Sequence, residues 1–152
     1  MEIIDIYSKG EYPSNVLSNF YPNQFIFDGI KCGSMEGLLQ SLKYKSIKKQ
    51  QEICLLSGKE AKKKGKYKFF WKLTGNIYWK GRKIKRASQD FKALVLNAYI
   101  ALSQNEEFKK AIKATENKTL IHSIGNHNER KTILTEEEFI DCLNQVRKTT
   151  QV

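Results

Sequence analysis

The chain has few of the residues that make cross-links, metal centres or membrane spans. Its 152 residues include three cysteines, two histidines and two prolines. Cys32, Cys54 and Cys142 are odd in number and far apart, with no CxxC pair and no metal-ligand spacing. That pattern excludes a disulfide framework and a zinc module. Reduced, buried thiols in a cytoplasmic protein are expected. His122 and His127 lie near Asn126 and Asn128 without further ligands around them, so no metal is expected. No apolar run approaches the roughly 18 residues of a membrane span. MEIIDIYSKG lacks the basic-then-apolar order of a secretory leader, and no membrane partner is expected. Walker A, GxGxxG, GxSxG and recognisable DNA-binding motifs are missing too. There is no internal repeat, low-complexity tail or linker. One domain over 1–152 is expected, long enough to bury a core.

Hydrophobic residues make up 40% of the chain and aromatics 11%, which excludes a disordered composition. Lysine and arginine number 27 against 16 acidic residues, a formal charge of +11. The excess has two readings. It suits polyanionic partners, either nucleic acid or phosphate-bearing small molecules. It also suits a lysine-rich genome that places lysine wherever the surface is neutral to choice, since lysine far outnumbers the arginine of specific phosphate sites.

Read in order, residues 2–7 alternate as a first strand. A loop with both prolines, Pro13 and Pro22, follows and also carries Tyr12, Val16, Leu17, Phe20 and Tyr21. A loop with so many large apolar groups is tied to the body and suited to lining a site. QFIF-DG-IKC reads as a hairpin, with Asp28-Gly29 in a type I′ turn. Ser34 is the expected N-cap of the next helix. A second helix spans Ile47 to Leu56, ended by Ser57-Gly58. The lysine-dense run from Lys59 to Lys68 reads as a solvated helix or loop. Phe69, Phe70, Trp71, Tyr78 and Trp79 alternate with cations, a pattern that serves core packing or base stacking. The longest helix is expected from Ile84 to Leu102, and another starts at Asn105. TLIHSI is a short strand, and Thr135 to Glu138 is a capping box opening the last helix. The fold class is therefore α+β, predominantly helical, with about six helices, a short hairpin and small strands.

The segment SMEGLLQSLKYK, from Ser34 to Lys45, has two faces. Met35, Leu38, Leu39 and Leu42 form an apolar arc at helical spacing. Glu36, Gln40 and Lys43 fall within about 60° of one another beside that arc. This stripe is either an ordinary solvated helix face or the wall of a site.

LSNFYPNQFIFDG (Leu17 to Gly29) followed by SMEGLLQSLKY (Ser34 to Tyr44) resembles the signature of the NADAR, or YbiA-like, family. The likeness resumes at SQNEEFKKAIKATENKTLIHS (Ser103 to Ser123) and in the closing helix FIDCLNQVRK. The resemblance implies a compact, mostly helical α+β domain that hydrolyses N-glycosidic bonds to a phosphate-bearing ribose. The substrates it implies are ADP-ribosylated guanine, in nucleic acid or nucleotide, or phosphoribosyl-aminopyrimidine intermediates of riboflavin synthesis. It places the catalytic Schiff-base lysine at Lys43, a proton-carrying glutamate at Glu36 and a ribose-holding glutamine at Gln40. Asn19, Phe20 and Tyr21 would wall the pocket. Trp79 would match the family's tryptophan, about two helical turns from its usual spacing, and Arg82 is a candidate for phosphate. No cofactor is implied. The expected partners are the ribosyl substrate and, where the positive charge is functional, nucleic acid. The alternative is a non-hydrolytic nucleotide- or nucleic-acid-binding module on the same fold. The chain departs from the family pattern in four places: Gly37 stands for a histidine, Ala101-Leu102 for Lys-Phe, His122 for a glutamate, and GNHNER lies where the family has Trp-Gly near the C-terminus.

Overall fold

Helix α2 (Met35–Ser41) is held by its apolar arc, packing against the helices Ile47–Cys54, Gly58–Lys66 and Gln89–Leu102 and the strand Ile30–Cys32. Met35, Leu38, Leu39 and Leu42 are each at most 2% exposed and belong to the one hydrophobic core cluster. The computed structural model describes residues 2–150. Ser34 caps α2 as expected, with its Oγ accepting the Gly37 N–H at 3.0 Å. Just upstream, strands β1 (Phe25–Phe27) and β2 (Ile30–Cys32) pair antiparallel. Both residues of their turn, Asp28 and Gly29, have φ in the left-handed region, at 51° and 78°, as a type I′ turn demands.

Helices α3 (Ile47–Cys54) and α4 (Gly58–Lys66) fold back against α2. The short α5 (Phe70–Thr74) leads into a second hairpin, β3 (Asn76–Trp79) and β4 (Arg82–Lys85), turned at Lys80-Gly81. The helix expected from Ile84 begins later, at Ser88, whose hydroxyl caps α6 (Gln89–Leu102). Ile84 is instead a buried strand residue. It stands seven residues before buried Phe91, so helical spacing alone does not separate the two elements. Asn105 caps α7 (Glu106–Ala114) as expected. The longest helix is the last, α8 (Glu136–Thr150).

The capping box at its start is formed in both directions. Glu138 N–H donates to Thr135 Oγ1 at 3.1 Å, and Thr135 N–H donates to Glu138 Oε1 at 2.8 Å. The same carboxylate takes a bidentate pair from buried Arg86, at 2.6 and 3.0 Å. Arg86 in turn lies 4.3 Å from the Phe91 ring centroid. One glutamate thus ties α8 to the loop before α6.

A third small sheet pairs the N-terminal strand, Ile3–Asp5, with a strand ahead of α8: it runs parallel to Thr119–Ile121, in register from Ile3↔Thr119 to Asp5↔Ile121. Both strands deliver their C-terminal ends to the same side of α2. Among the described residues there are eight helices, the first the short α1 (Ser14–Leu17) in the loop after the N-terminal strand, and six short strands, and no helix is long and apolar enough to cross a membrane. Cys32, Cys54 and Cys142 are buried and free.

Candidate active site

A cleft of about 600 Å³ opens beside α2. Its wall combines Glu36, Leu39 and Gln40 with the loop residues Ser18, Asn19 and Phe20. The ends of the parallel strands add Tyr7 to Lys9 and His122, α4 adds Lys62, and the approach to α8 closes it with Ile133, Leu134 and Phe139. The loop is held from both sides. Asn19 Oδ1 accepts the hydroxyl of fully buried Tyr99 at 2.6 Å, and Asn19 O accepts the Glu36 N–H at 3.0 Å. The apolar loop is tied to the body and lines this cleft.

Glu36 is half-buried, in the first turn of α2. Loss of solvent pushes its carboxyl above the ordinary value. The Gln40 hydrogen bond and the charges of Lys43, Lys62 and His122 oppose that shift. Gln40 Nε2 donates to Glu36 Oε2 at 2.7 Å. Gln40 Oε1 is buried without a hydrogen-bond partner. Lys43, one turn on, has its pKa lowered to about 8, chiefly by burial and against the pull of Glu36, with Lys72 and Lys62 pushing it further down. Its Nζ donates to Gly65 O at 3.4 Å and lies 5.5 Å from the Trp71 ring centroid. The structure therefore holds Glu36, Gln40 and Lys43 together on one face, with Glu36 and Gln40 at the cleft and Lys43 just behind, outside its lining.

Two glycines set this geometry. At Gly65 an added Cβ would come 1.6 Å from Gln40 Oε1 and 3.1 Å from Lys43 Nζ, so α4 lies directly on the two side chains. At Gly37 a Cβ would meet Leu56 O, Cys54 O and Ile53 O at 2.6 to 2.9 Å. The end of α3 occupies the space that a histidine would need. This departure from the family pattern is a packing requirement of the α2–α3 contact.

Other expected residues lie elsewhere. Tyr21 adjoins the cleft loop in sequence, but its hydroxyl donates to Glu107 at 2.6 Å, outside the lining. Trp79 Nε1 donates to Asp28 Oδ2 at 2.9 Å, with its ring 5.3 Å from Phe27. Arg82 is exposed and pairs with Asp90 at 3.6 Å. Trp79 and Arg82 share a separate depression of about 410 Å³. The structure does not bring these three to the cleft, because each is engaged in tying its own hairpin or loop to the body.

Two residues at the cleft carry no functional signal in the sequence. Lys62 is one lysine among many, yet it lines the cleft with its Nζ 5.8 Å from the Phe20 ring centroid. His122 stands where the family pattern has a glutamate. Its Nδ1 is 2.7 Å from Ile6 O. A carbonyl only accepts, so Nδ1 carries the proton, and in the neutral ring Nε2 is an acceptor. The ring sits edge-on to Phe139 at 5.0 Å. His127, by contrast, is exposed, and its ring nitrogens meet Glu136 at 3.1 Å and Glu137. These three form the one group among the described residues whose ligand atoms are close enough for a metal, within 4.8 Å of one another. They already satisfy each other as an ion-pair network. A larger cavity, about 770 Å³, lies by the Asp28-Gly29 hairpin and is lined by Lys31 and the Cys32 thiol but no carboxylate or histidine. It offers no acid–base pair.

Comparison with known proteins agrees with this architecture. The family model described as bacteriophage protein GP30.3 matches residues 11–148. The chain is 40% identical over 149 residues to a 17.1 kDa protein of the Gp30–rIII intergenic region of Enterobacteria phage T4, covering 97% of this chain and 98% of that one. The chain belongs to the GP30.3 family. Its fold is that of the E. coli protein YbiA, whose NMR structure superposes with a TM-score of 0.63 at 19% identity, covering 97% of this chain and 84% of YbiA.

Proposed function

We propose that this member of the GP30.3 family is a hydrolase that cleaves an N-glycosidic bond to a phosphate-bearing ribose, with Lys43 as the nucleophile and Glu36 as the proton carrier. The observation that carries the reading is a single helix face presenting an amine of lowered pKa and a carboxyl of raised pKa next to a cleft. Such opposed shifts suit a group that attacks as a free amine and a group that carries a proton. The YbiA-like fold and the signature segments add support.

The chemistry requires a glycosidic nitrogen with a lone pair, as in a ribosylamino group. Protonated Glu36 gives its proton to the ring oxygen as that C–O bond breaks. The nitrogen lone pair then forms a C=N bond to the ribose carbon. Lys43 Nζ adds to this carbon, and the proton it sheds passes through Glu36 to the leaving nitrogen. The amine departs and leaves an iminium on Lys43. Water adds to the same carbon and gives its proton to Glu36, the hydroxyl proton passes to Nζ as the C–Nζ bond breaks, and the sugar closes its ring. Overall, water and the glycoside yield the phosphate-bearing ribose, with a free anomeric hydroxyl, and the amine. To attack, the flexible Lys43 side chain leaves the Gly65 carbonyl and swings past Gln40. Gln40 holds ribose hydroxyls, and its unpartnered Oε1 is suited to accept from one. Asn19 and Phe20 wall the sugar, and Lys62 meets phosphate at the cleft mouth.

The test is borohydride trapping with ADP-ribosylated guanine nucleotide and, in parallel, with ribosylamino-pyrimidine phosphate. An adduct on Lys43 that disappears in Lys43→Ala and persists in Lys62→Ala is expected. Undiminished turnover by Lys43→Ala refutes the assignment.

A further inference from the structure

Core packing and base stacking were the two readings of the aromatic–lysine stretch, and its residues divide between them. Trp71 and Trp79 are buried, at 4% and 6% exposure. Tyr67, Phe69, Phe70 and Leu73 stand in solvent at 73, 54, 70 and 73%. Four large apolar side chains within seven residues form a patch that the fold leaves uncovered. Phe69 and Phe70 present nearly parallel rings, 5.4 Å apart with an 18° tilt. Lysines flank the rings along the chain. Lys59, Lys62, Lys63, Lys64, Lys66, Lys68 and Lys72 are all exposed, against the single carboxylate of Glu60 in the same stretch. Among the described residues no acidic group lies within ion-pair distance of any of these lysines. Lys66 sits 5.6 Å over the Tyr67 ring, and Lys68 sits 4.6 Å over Tyr44.

We propose that the α4–α5 face, from Lys62 to Leu73, is a docking surface for single-stranded nucleic acid. Bases stack on Phe69, Phe70 and Tyr67, and phosphates pass along Lys63, Lys64, Lys66, Lys68 and Lys72. Interleaved π-faces and unpaired ammonium groups are the two components of sequence-tolerant strand binding. The charge argues against a second copy of this chain, since two such faces repel each other. An anionic bilayer calls for a longer helix with a continuous apolar face. Here α5 has five residues, and the solvent side of α4 is lysine. A duplex offers no open base for the rings, and lysine without arginine lacks the bidentate fork that reads base edges. The face adjoins the cleft: Trp71 lies between Lys43 and Lys72, with both ammonium groups within 6 Å of its ring centroid. The proposal stands independently of glycosidase activity, because it concerns binding of an unmodified strand.

Fluorescence anisotropy on the full chain tests it, with a labelled mixed-sequence 20-nucleotide DNA, the matching RNA, the corresponding DNA duplex and phosphatidylserine vesicles. Single strands of either sugar should bind at least tenfold more tightly than the duplex. Phe69→Ala/Phe70→Ala, a change confined to exposed rings, should weaken strand binding about tenfold or more and leave the salt dependence as it was. Lys63→Gln/Lys64→Gln/Lys66→Gln should reduce the slope of log K against log salt by about 2, as expected from roughly 0.7 per lost phosphate contact on a single strand. Equal strand affinity in the ring variant, preference for the duplex, or binding confined to vesicles would overturn the proposal. Circular dichroism of each variant separates lost binding from lost folding.

Discussion

Replacing Gly37 with alanine isolates the packing of α2 on α3. From helix propensity alone the change should stabilise the protein by about 1 kcal/mol, because glycine is a poor residue for a first turn. The structure reverses the sign. The new Cβ meets three backbone carbonyls at 2.6 to 2.9 Å, and none of them can rotate aside as a side chain would. Either α3 or α2 must move. Two of those carbonyls accept hydrogen bonds that fasten the contact: Cys54 O from Gly33 N–H and Leu56 O from Ser34 Oγ, each at 2.8 Å. Overpacking of a tight core typically costs 1–3 kcal/mol, and each weakened hydrogen bond about 0.5–1.5 kcal/mol. A net loss of about 2–5 kcal/mol is expected, which for a chain of this size lowers Tm by roughly 5–15 °C. Urea and thermal unfolding followed by circular dichroism read it directly. A Gly37→Ala protein as stable as wild type would refute the packing account, and with it the reason given for the missing histidine.

Gly65→Ala should displace Gln40 and Lys43 with little damage to the core, since the clashing atoms are side-chain ends; adduct trapping should fall at least tenfold while Tm moves by a few degrees, and normal trapping would refute the contact. Lys43→Met should abolish trapping yet leave the protein more stable than wild type at pH 7. The lowered pKa means that the folded state opposes the charged amine, so the advantage is full below about pH 8 and fades as pH rises towards the ordinary lysine value of 10.5; urea titrations at pH 7 and pH 10.5 check it. Glu138→Gln should cost about 3 kcal/mol at pH 7 by leaving Arg86 buried without its charge partner. Burial pushes the Glu138 carboxyl up, but the Arg86 and Thr135 bonds outweigh it and hold the group below its usual value. Its contribution is therefore present above the ordinary carboxylate pKa and is lost as pH falls through the depressed one, so the gap between variant and wild type should close in acid; a gap that persists there would refute the linkage.

What could be read from the sequence was local. Ser34, Asn105 and the Thr135–Glu138 box cap their helices because a cap is satisfied within three residues. Asp28-Gly29 turns its hairpin because both residues accept positive φ. The Lys80-Gly81 hairpin carries no such local signal, and helical spacing runs its buried Ile84 into the following helix. The stripe of Glu36, Gln40 and Lys43 shows as helical spacing, but spacing alone favours a solvated helix face over a site.

The caps, the first hairpin turn and the two faces of α2 follow from neighbours a few residues away. What those faces meet is set by long-range packing. Burial against α4 and Trp71 lowers the pKa of Lys43, and desolvation beside the cleft raises that of Glu36. The parallel pairing of the first strand with residues 119–121 brings His122 to the same wall. Gly37 and Gly65 are small for the sake of backbones and side chains far along the chain. Desolvation and close approach are set by residues distant in sequence, and the spacing of one helix carries no record of them.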